Sequence, residues 1–548
     1  MGRTRVPSLL VLAAALLANS ATAATTQFHL SLVGPGDGDT VHYMLDWVAD
    51  AAADSSGIVF GTSADLQDGT TVAGKAAGTV EESGSALVSC WSALLSNLTP
   101  GSTVYYALAA NSTAALGFDT LEGSTVMNFS VPSGELTWAV FGDMGAPMQG
   151  KAAAVSLPAL KSALLSDGAY DGVLNIGDLS YELVTANAEN YMDELQDITS
   201  RVPMMTTVGN HEYQYGLSPS LAVQNYYRRF QGITLGAGAV SGSVSNEFYS
   251  FTSGLVHFAV LHTEVYGDEA FVALQDDNVT WANDEDARLR VAAAQAEWLA
   301  YDLSRVDRSA TPYVVVCGHR PPFKTPDALS ATGNRFVTDI LPLLSKYDVD
   351  LYLAGHEHTY LVFEASTFGG YSVPPIIISG SPGNNEFIRE EAELGIEDFT
   401  WKTLIPKYGY GYLTATKDEL QWRWGSAATD ATHSPESAMW EQQDEVTFAR
   451  KTAVASAADE GTPVEEPVDV ETEWSTSASG GKSGSGSAGS SGTDAGAGST
   501  TTVSDSQSAS SSSSAVSVAL SSKVVLATNV RVILSTDSDQ IAAERMSL

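Results

Sequence analysis

Tyr313-Val-Val-Val-Cys-Gly-His319 reads as a buried strand that stops at a glycine and delivers a histidine. Its apolar run is continuous and β-branched, the pattern of a strand covered on both faces rather than one. Four more stretches share the plan: Leu136-Thr-Trp-Ala-Val-Phe-Gly-Asp143, Val173-Leu-Asn-Ile-Gly-Asp178, Met204-Met-Thr-Thr-Val-Gly-Asn-His211 and Val349-Asp-Leu-Tyr-Leu-Ala-Gly-His356. Helical periodicity lies between several of them, over Ala152 to Leu165, Ala292 to Leu303 and Phe336 to Lys346. Strands alternating with helices make this part of the chain α/β. Cys317, inside such a run, is expected to be a buried free thiol, and with Cys90 as the only other cysteine the chain is neither a disulfide scaffold nor a Cys-ligated zinc protein.

Upstream, from about Gln27 to Val131, the pattern changes to short alternating segments such as Val41-His-Tyr-Met-Leu-Asp-Trp47, Gly57-Ile-Val-Phe-Gly61 and Val104-Tyr-Tyr-Ala-Leu108, separated by Gly, Asp and Ser turns. That spacing predicts a small all-β sandwich. The stretch from Leu94 to Leu108 is similar to the turn into a late strand of fibronectin type III domains. Ahead of it, basic Met1 to Arg5, an apolar run from Leu9 to Leu17 and the small-x-small site Ala21-Thr-Ala23 read as a secretory leader over residues 1–23. The apolar run is too short for a membrane span. N-x-S/T acceptors at Asn97, Asn111, Asn128 and Asn278 fit an exported glycoprotein.

The resulting division is a leader over 1–23, a sandwich over 24–133, a catalytic-type α/β domain over 134–440 and a tail over 441–548. Ser475 to Ser514 is almost wholly Ser, Gly, Ala and Thr, too poor in apolar area to offset the entropy of ordering, and is expected to be a disordered or O-glycosylated stalk. Lys and Arg number 27 against 65 Asp and Glu among 548 residues, a net charge of −38. Such an excess works against nucleic acid and anionic membrane as partners, since phosphates need a basic footprint, and favours small substrates over polyanions.

In an open α/β sheet, ligands gather beyond the carboxyl ends of the strands. Five runs place Asp143, Asp178, Asn210, His319 and His356 there, and Tyr181 and His358 follow closely. A lone Gly-Asp is a common turn and a lone His-x-His occurs by chance; what turn chemistry does not supply is all of them at the same strand end. The donors are oxygen and imidazole without thiolate, suited to first-row ions. Seven exceed the needs of one ion. Two ions about 3.5–4 Å apart and bridged by a carboxylate would use them all, in the clamp typical of phosphoryl transfer.

Gly142-Asp-Met-Gly145, Gly177-Asp-Leu-Ser-Tyr181, Gly209-Asn-His-Glu212, Val316-Cys-Gly-His319 and Gly355-His-Glu-His358 resemble the five ordered motifs of purple acid phosphatases, within the metallophosphoesterase superfamily. The resemblance runs from about residue 25 to 430 and is supported by Phe248-Tyr-Ser-Phe251, Val256-His-Phe258 and Gly318-His-Arg-Pro-Pro322. It implies a fibronectin III-like sandwich followed by a metallophosphoesterase domain of β-sheet layers flanked by helices. It also implies that Asp143, Tyr181 and His358 hold Fe(III), that Asp178 bridges, and that Asn210, His319 and His356 hold a divalent zinc, manganese or iron ion. The phenolate at Tyr181 would favour ferric iron and give a charge-transfer colour; most metallophosphoesterases have instead a His in the first motif, where Gly145 stands here.

The activity implied is that of a secreted acid phosphatase in which a metal-activated hydroxide attacks phosphomonoesters, with His211 as proton donor or hydrogen-bond partner of the phosphate. A phosphodiesterase on the same site is the alternative, with pocket shape set by loops such as Gly232 to Ser245 and Tyr266 to Asp286; a non-catalytic surface adhesion glycoprotein is another. A second copy of the chain, as a homodimer, is the one protein partner admitted. Two departures from the family stand out. No His lies between Arg320 and Arg335, where plant-type members carry one, which leaves Arg320, beside two prolines, either as a partial substitute at the phosphate or equally as a structural residue. After His358 comes Thr-Tyr-Leu-Val rather than the Glu-Arg pair common in the family. Glu212 is expected to support the His211 loop, and His257, in an alternating strand, to be hydrogen-bonded in the core.

Overall fold

The computed structural model describes residues 26–451 apart from 51–55, 82–86, 110–123, 151–152, 182, 214–218, 268–284, 323–334, 385, 387–400 and 429–438. The leader, the Ser-rich stretch, Asn111 and Asn278 lie outside the described residues.

Eight strands form the N-terminal part: β1 (His29–Pro35), β2 (Val41–Asp50), β3 (Gly57–Gly61), β4 (Thr70–Ala73), β5 (Lys75–Glu81), β6 (Leu87–Leu98), β7 (Thr103–Leu108) and β8 (Met127–Ser130). They make two antiparallel sheets of four, ordered β1-β2-β6-β5 and β4-β3-β7-β8. The alternation that predicts a sandwich is thus realised, with Trp47, Leu45, Leu95, Tyr106 and Phe129 turned inward. Each such apolar side chain contributes roughly 1.5–3 kcal/mol by leaving water.

The remaining strands are β9 (Thr137–Phe141), β10 (Gly172–Asn175), β11 (Met204–Thr206), β12 (Tyr249–Ser253), β13 (Val256–Leu261), β14 (Tyr313–Gly318), β15 (Leu351–Ala354), β16 (Tyr360–Phe363), β17 (Ser366–Phe368), β18 (Tyr371–Val373), β19 (Ile376–Ser379), β20 (Trp401–Ile405), β21 (Gly409–Ala415), β22 (Glu419–Ala428) and β23 (Met439–Ala449). One sheet runs β11-β10-β9-β21-β22-β23, the other β12-β13-β14-β15-β19-β16-β20, and β17 and β18 form a separate hairpin. The strands that carry the site are parallel within each sheet, β9 with β10 and β11, and β13 with β14 and β15. Along β14 the side chains divide. Val315 and Cys317 join the apolar core that contains Val140 and Leu174 of the other sheet, while Val314 and Val316 join a second core with Leu299, Leu303 and Leu344 from the helices. Burial on both faces is why the run reads as unbroken Val. Cys317 and Cys90 are buried free thiols.

Of the helices, α1 (Thr185–Thr199), α2 (Pro219–Arg229) and α3 (Glu285–Ser304) are the longest. The helical turns predicted over 152–165 begin only at Leu157. Two expectations are corrected. The last strand of the sheet, β23, runs past residue 440 to Ala449, paired along its length with β22. Only Val446 of that strand is fully buried, with Trp440 and Phe448 of the same face partly so, and the polar run Glu441 to Glu445 between them hid the period of an edge strand. The stretch Gly232 to Ser245, expected as a loop, opens as helical turns (Gln231–Ile233 and Thr234–Gly238) packed on the sandwich, with Leu235 and Ala239 against Val33, Met44 and Leu94. Among the described residues, no helix is long and apolar enough to cross a membrane.

Candidate functional site

Turns at the carboxyl ends of β9, β10, β11, β14 and β15 bring all seven predicted donors together, and the backbone there is strained. Asp143, Asp178, Tyr181 and His356 have φ of 62°, 50°, 50° and 68°. Non-glycine residues in this left-handed region cost on the order of 1–3 kcal/mol each and persist where surrounding structure enforces them, which happens most at functional sites. The glycine that precedes Asp178 serves the same approach. Gly177 has φ of 94°, and a Cβ there would lie 2.6 Å from His319 Nδ1. Gly355 likewise leaves room for Asp143, whose Oδ2 would be 2.6 Å from an added Cβ.

The donors fall into two groups that meet at the carboxylates. On one side His319 donates from Nδ1 to the carbonyl of Ile176 (2.9 Å). That bond fixes the tautomer and turns the Nε2 lone pair toward Asn210 Oδ1 (3.1 Å) and Asp178 Oδ2 (3.2 Å). His356 Nδ1 lies 3.0 Å from the same Asn210 oxygen. Ligand atoms of Asp178, His319 and His356 lie within 4.8 Å of one another. On the other side Tyr181 Oη is 2.6 Å from His358 Nε2, and that nitrogen is 3.7 Å from Asp143 Oδ1. Asp143 Oδ2 accepts the backbone N–H of His356 (2.9 Å), while its buried Oδ1 has no hydrogen-bond partner.

Potential ligand atoms therefore crowd together in a fully buried cluster, which a cation would reconcile. Without one, protons take its place. Burial alone would lower His319, but Asp178 and Asp143 outweigh it and push the ring up to about 10. Burial lifts Asp143 well above the usual carboxylate range, with His319 opposing. Burial also acts upward on Asp178, yet His319 and His211 hold it below that range. Burial and then the Asp143 and Asp178 charges push the Tyr181 phenol well up, so a phenolate there requires strong positive charge beside it. The donor set thus fits hard or borderline first-row cations.

His211 sits at the edge of this cluster, its side chain 17% exposed, with Nε2 4.0 Å from Asp178 Oδ2 and its ring 4.2 Å from that of Tyr181. Its backbone N–H donates to Asp178 Oδ1 (2.8 Å). Glu212 is no ligand. Its carboxylate accepts the backbone N–H groups of Asp178, Leu179 and Gly209 at 2.7–2.9 Å, stapling the loop after β10 to the loop after β11. Arg320 is buried and takes the structural one of its two expected roles. Its Nε donates to Glu264 Oε2 (2.8 Å) and its Nη1 lies 3.2 Å from His356 Nε2, so it braces that ring. His257 is in the core, paired with Asp302 at 2.8 Å.

Sequence reasoning passed over Glu386. It follows β19 in the loop that crosses beside Asp143, and its oxygens lie 3.7 Å from His211 Nε2 and 3.5 Å from His358 Nδ1. The stretch Gly380-Ser-Pro-Gly-Asn-Asn-Glu386 is another strand that ends in glycine and polar residues, which is the one signal that could have found it.

Comparison with known proteins agrees with this geometry. Residues 136–360 match the calcineurin-like phosphoesterase family. This segment is a calcineurin-like phosphoesterase domain. The chain is similar to acid phosphatase type 7 of Danio rerio, 29% identical over 331 residues covering 54% of this chain and 64% of that protein. It is also similar to purple acid phosphatase 23 of Arabidopsis thaliana, 31% identical over 166 residues, 30% of each chain. It thus spans less than two thirds of the length of either relative. Among solved structures, the purple acid phosphatase from yellow lupin seeds shares the fold with a TM-score of 0.53 at 18% identity, over 80% of this chain and 77% of that one. The phosphoesterase domain carries all seven predicted donors and His211, whereas Glu386 lies beyond the matched residues.

Proposed function

We propose that the chain is a secreted purple acid phosphatase that hydrolyses phosphomonoesters at a dinuclear centre of Fe(III) and a divalent zinc, manganese or iron ion. The observation that carries this reading is the convergence of seven potential ligand side chains in two groups, one of which contains the phenol of Tyr181, with Asp143 Oδ1 3.9 Å from His319 Nε2 and 3.7 Å from His358 Nε2. Asp143, Tyr181 and His358 would hold the ferric ion, Asn210, His319 and His356 the divalent one, and Asp178 would bridge. Such a pair of cations supplies Lewis acidity and neutralises the charge of a transferring phosphoryl group.

The chain's own part is orientation and proton handling. Ile176 fixes the tautomer of His319 through its carbonyl, Arg320 fixes the ring of His356, and Glu212 sets the spacing of Asp178 and Asn210. His211 presents Nε2 at the edge of the site with carboxylates of Asp178 and Glu386 opposite. The tautomer protonated at Nε2 is the one that satisfies them, and from there the proton can pass to a leaving alkoxide. Metal analysis with a visible spectrum, on wild type and Tyr181→Phe, tests the centre. About two metals per chain and a purple band that vanishes in the variant are expected; colourless active protein would overturn the ferric assignment. Mono- and diester hydrolysis by one preparation tests the substrate class, and diester preference or no hydrolysis would overturn the phosphatase reading.

A further inference from the structure

The sandwich meets the phosphoesterase domain across a second buried cluster of histidine and aspartate, remote from the metal-type donors. Strand β1 lies along the domain, with Thr199 Oγ1 donating to the Phe28 carbonyl (2.9 Å) and Tyr106 Oη to the Ser200 carbonyl (2.8 Å). At its centre is His29, 3% exposed. Its Nδ1 lies 2.8 Å from the carbonyl oxygen of Gln27 and its Nε2 2.6 Å from that of Arg229, at the end of α2. Both contacts are to acceptors that carry no proton. A neutral imidazole has one N–H and would set its second nitrogen lone pair against a carbonyl; only the doubly protonated ring donates to both.

A counter-charge stands beside it. Asp46 of β2 places Oδ2 3.7 Å from His29 Nε2, and that oxygen is buried without a hydrogen-bond partner. The other oxygen, Oδ1, accepts the hydroxyl of Ser92 in β6 and the backbone N–H of Gly232 (2.9 Å). A side chain at Gly232 would collide with this carboxylate, so the domain closes directly over it. The other charged groups that face the cluster are the Arg229 guanidinium, which donates to Gln27 Oε1, and Asp193 of α1, which accepts from Gln27 Nε2 (2.9 Å). Phe230 closes the remaining side, edge-on at 5.1 Å.

We infer that the junction between the sandwich and the phosphoesterase domain is latched by one proton shared between His29 and Asp46, carried on the His29 ring, and that the latch loosens when that proton is lost. Burial pushes the Asp46 carboxyl up to about 8 and the His29 ring down to about 4, so the pair keeps one proton between those limits, and burial acting alone would leave it on Asp46. The two carbonyl contacts place it on the imidazole. In the unfolded chain the last of the pair's protons leaves near 6.5, the ordinary value of histidine. The folded pair holds its proton to higher pH than the unfolded one. Its contribution is therefore full below about 6.5 and falls as pH rises through about 8.

Hydrogen exchange on the full-length chain, corrected for intrinsic exchange, tests this on wild type and Asp46→Asn. In wild type the opening equilibrium of amides in β1, β2 and the end of α2 should rise by up to about 30-fold between pH 6.5 and 8, the 1.5 units by which the two states differ. Amides of β14 and β15 should not follow. In Asp46→Asn the rise above pH 6.5 should be absent, because a buried imidazolium no longer has its counter-charge. An equal rise in wild type and variant would overturn the latch. Should the variant fail to fold, a junction in wild type that stays equally closed across this window would overturn it as well.

Discussion

The phosphoesterase site and the sandwich junction are both buried clusters of histidine and aspartate, yet they call for different positive charge. Around His319 the potential ligand side chains come from five separate loops and are too many for one proton to satisfy, and Asp143 Oδ1 has no hydrogen-bond partner. Around His29 there is one ring, two carbonyl oxygens and one carboxylate, a set that a single proton satisfies. The count of donors against acceptors, rather than residue type, separates a place for a metal from a place for a proton. Backbone strain separates them too. Four of the predicted ligands have positive φ, whereas His29, Asp46 and Ser92 lie in ordinary strands.

The sharpest way to break the comparison is to take the shared carboxylate from the site. Asp178→Asn should lower phosphomonoester turnover by about 10³-fold or more, the scale of several kcal/mol of charge stabilisation, and should lower metal content by atomic analysis. Wild-type turnover in that variant would mean that Asp178 bridges nothing. Removal of His211 should be next in size. His211→Ala should lose about 10²-fold in kcat, typical of a positioned proton donor, with two metals retained; loss of metal as well would make His211 a support of the loop rather than a participant.

Glu212 probes how the site is held. In Glu212→Gln one oxygen becomes an NH₂ group and cannot accept, so at least one of the three backbone N–H groups loses its partner. The expected result is metal affinity weaker by about 10–100-fold, as found for groups that orient ligands, and a thermal midpoint lowered by the equivalent of about 1–3 kcal/mol. Unchanged affinity in a chelator competition would show that the two loops keep their spacing without the staple.

These residues also mark how far the sequence could be read. Asp143, Asp178, Tyr181, Asn210, His319, His356 and His358 were legible because each follows a short apolar run at a fixed offset, so strand geometry alone sends them to one end. The sandwich was legible from period-two alternation. Glu386 was not, since its place against His211 depends on a crossing loop rather than a strand end. The choice between two roles for Arg320 stayed open in the sequence because nothing in Gly318-His-Arg-Pro-Pro322 announces its partner Glu264, which follows β13. The β23 strand was missed because the polar run Glu441 to Glu445 interrupts the face that carries Trp440, Val446 and Phe448, and its pairing rests on backbone groups that every residue shares. The His29 and Asp46 pair was illegible for the same reason, since both sit within alternating strands where a polar residue is expected to face water.

The smallest effect concerns where the junction's proton resides. Ser92 donates its hydroxyl to Asp46, and Ser92→Ala should cost about 1–2 kcal/mol of stability, the loss of one hydrogen bond to a buried carboxylate. The pH dependence of that deficit is the informative quantity. If the shared proton is on His29, Asp46 is a carboxylate both before and after the proton leaves, and the deficit measured by thermal unfolding stays level from pH 6 to 9. If the proton were on Asp46, the hydroxyl would bond a neutral acid below pH 8 and a carboxylate above it. The deficit would then widen as pH rises, because a hydrogen bond to the charged form is the stronger. A level deficit is the expected result, since a neutral His29 would leave one of its two carbonyl contacts without a proton.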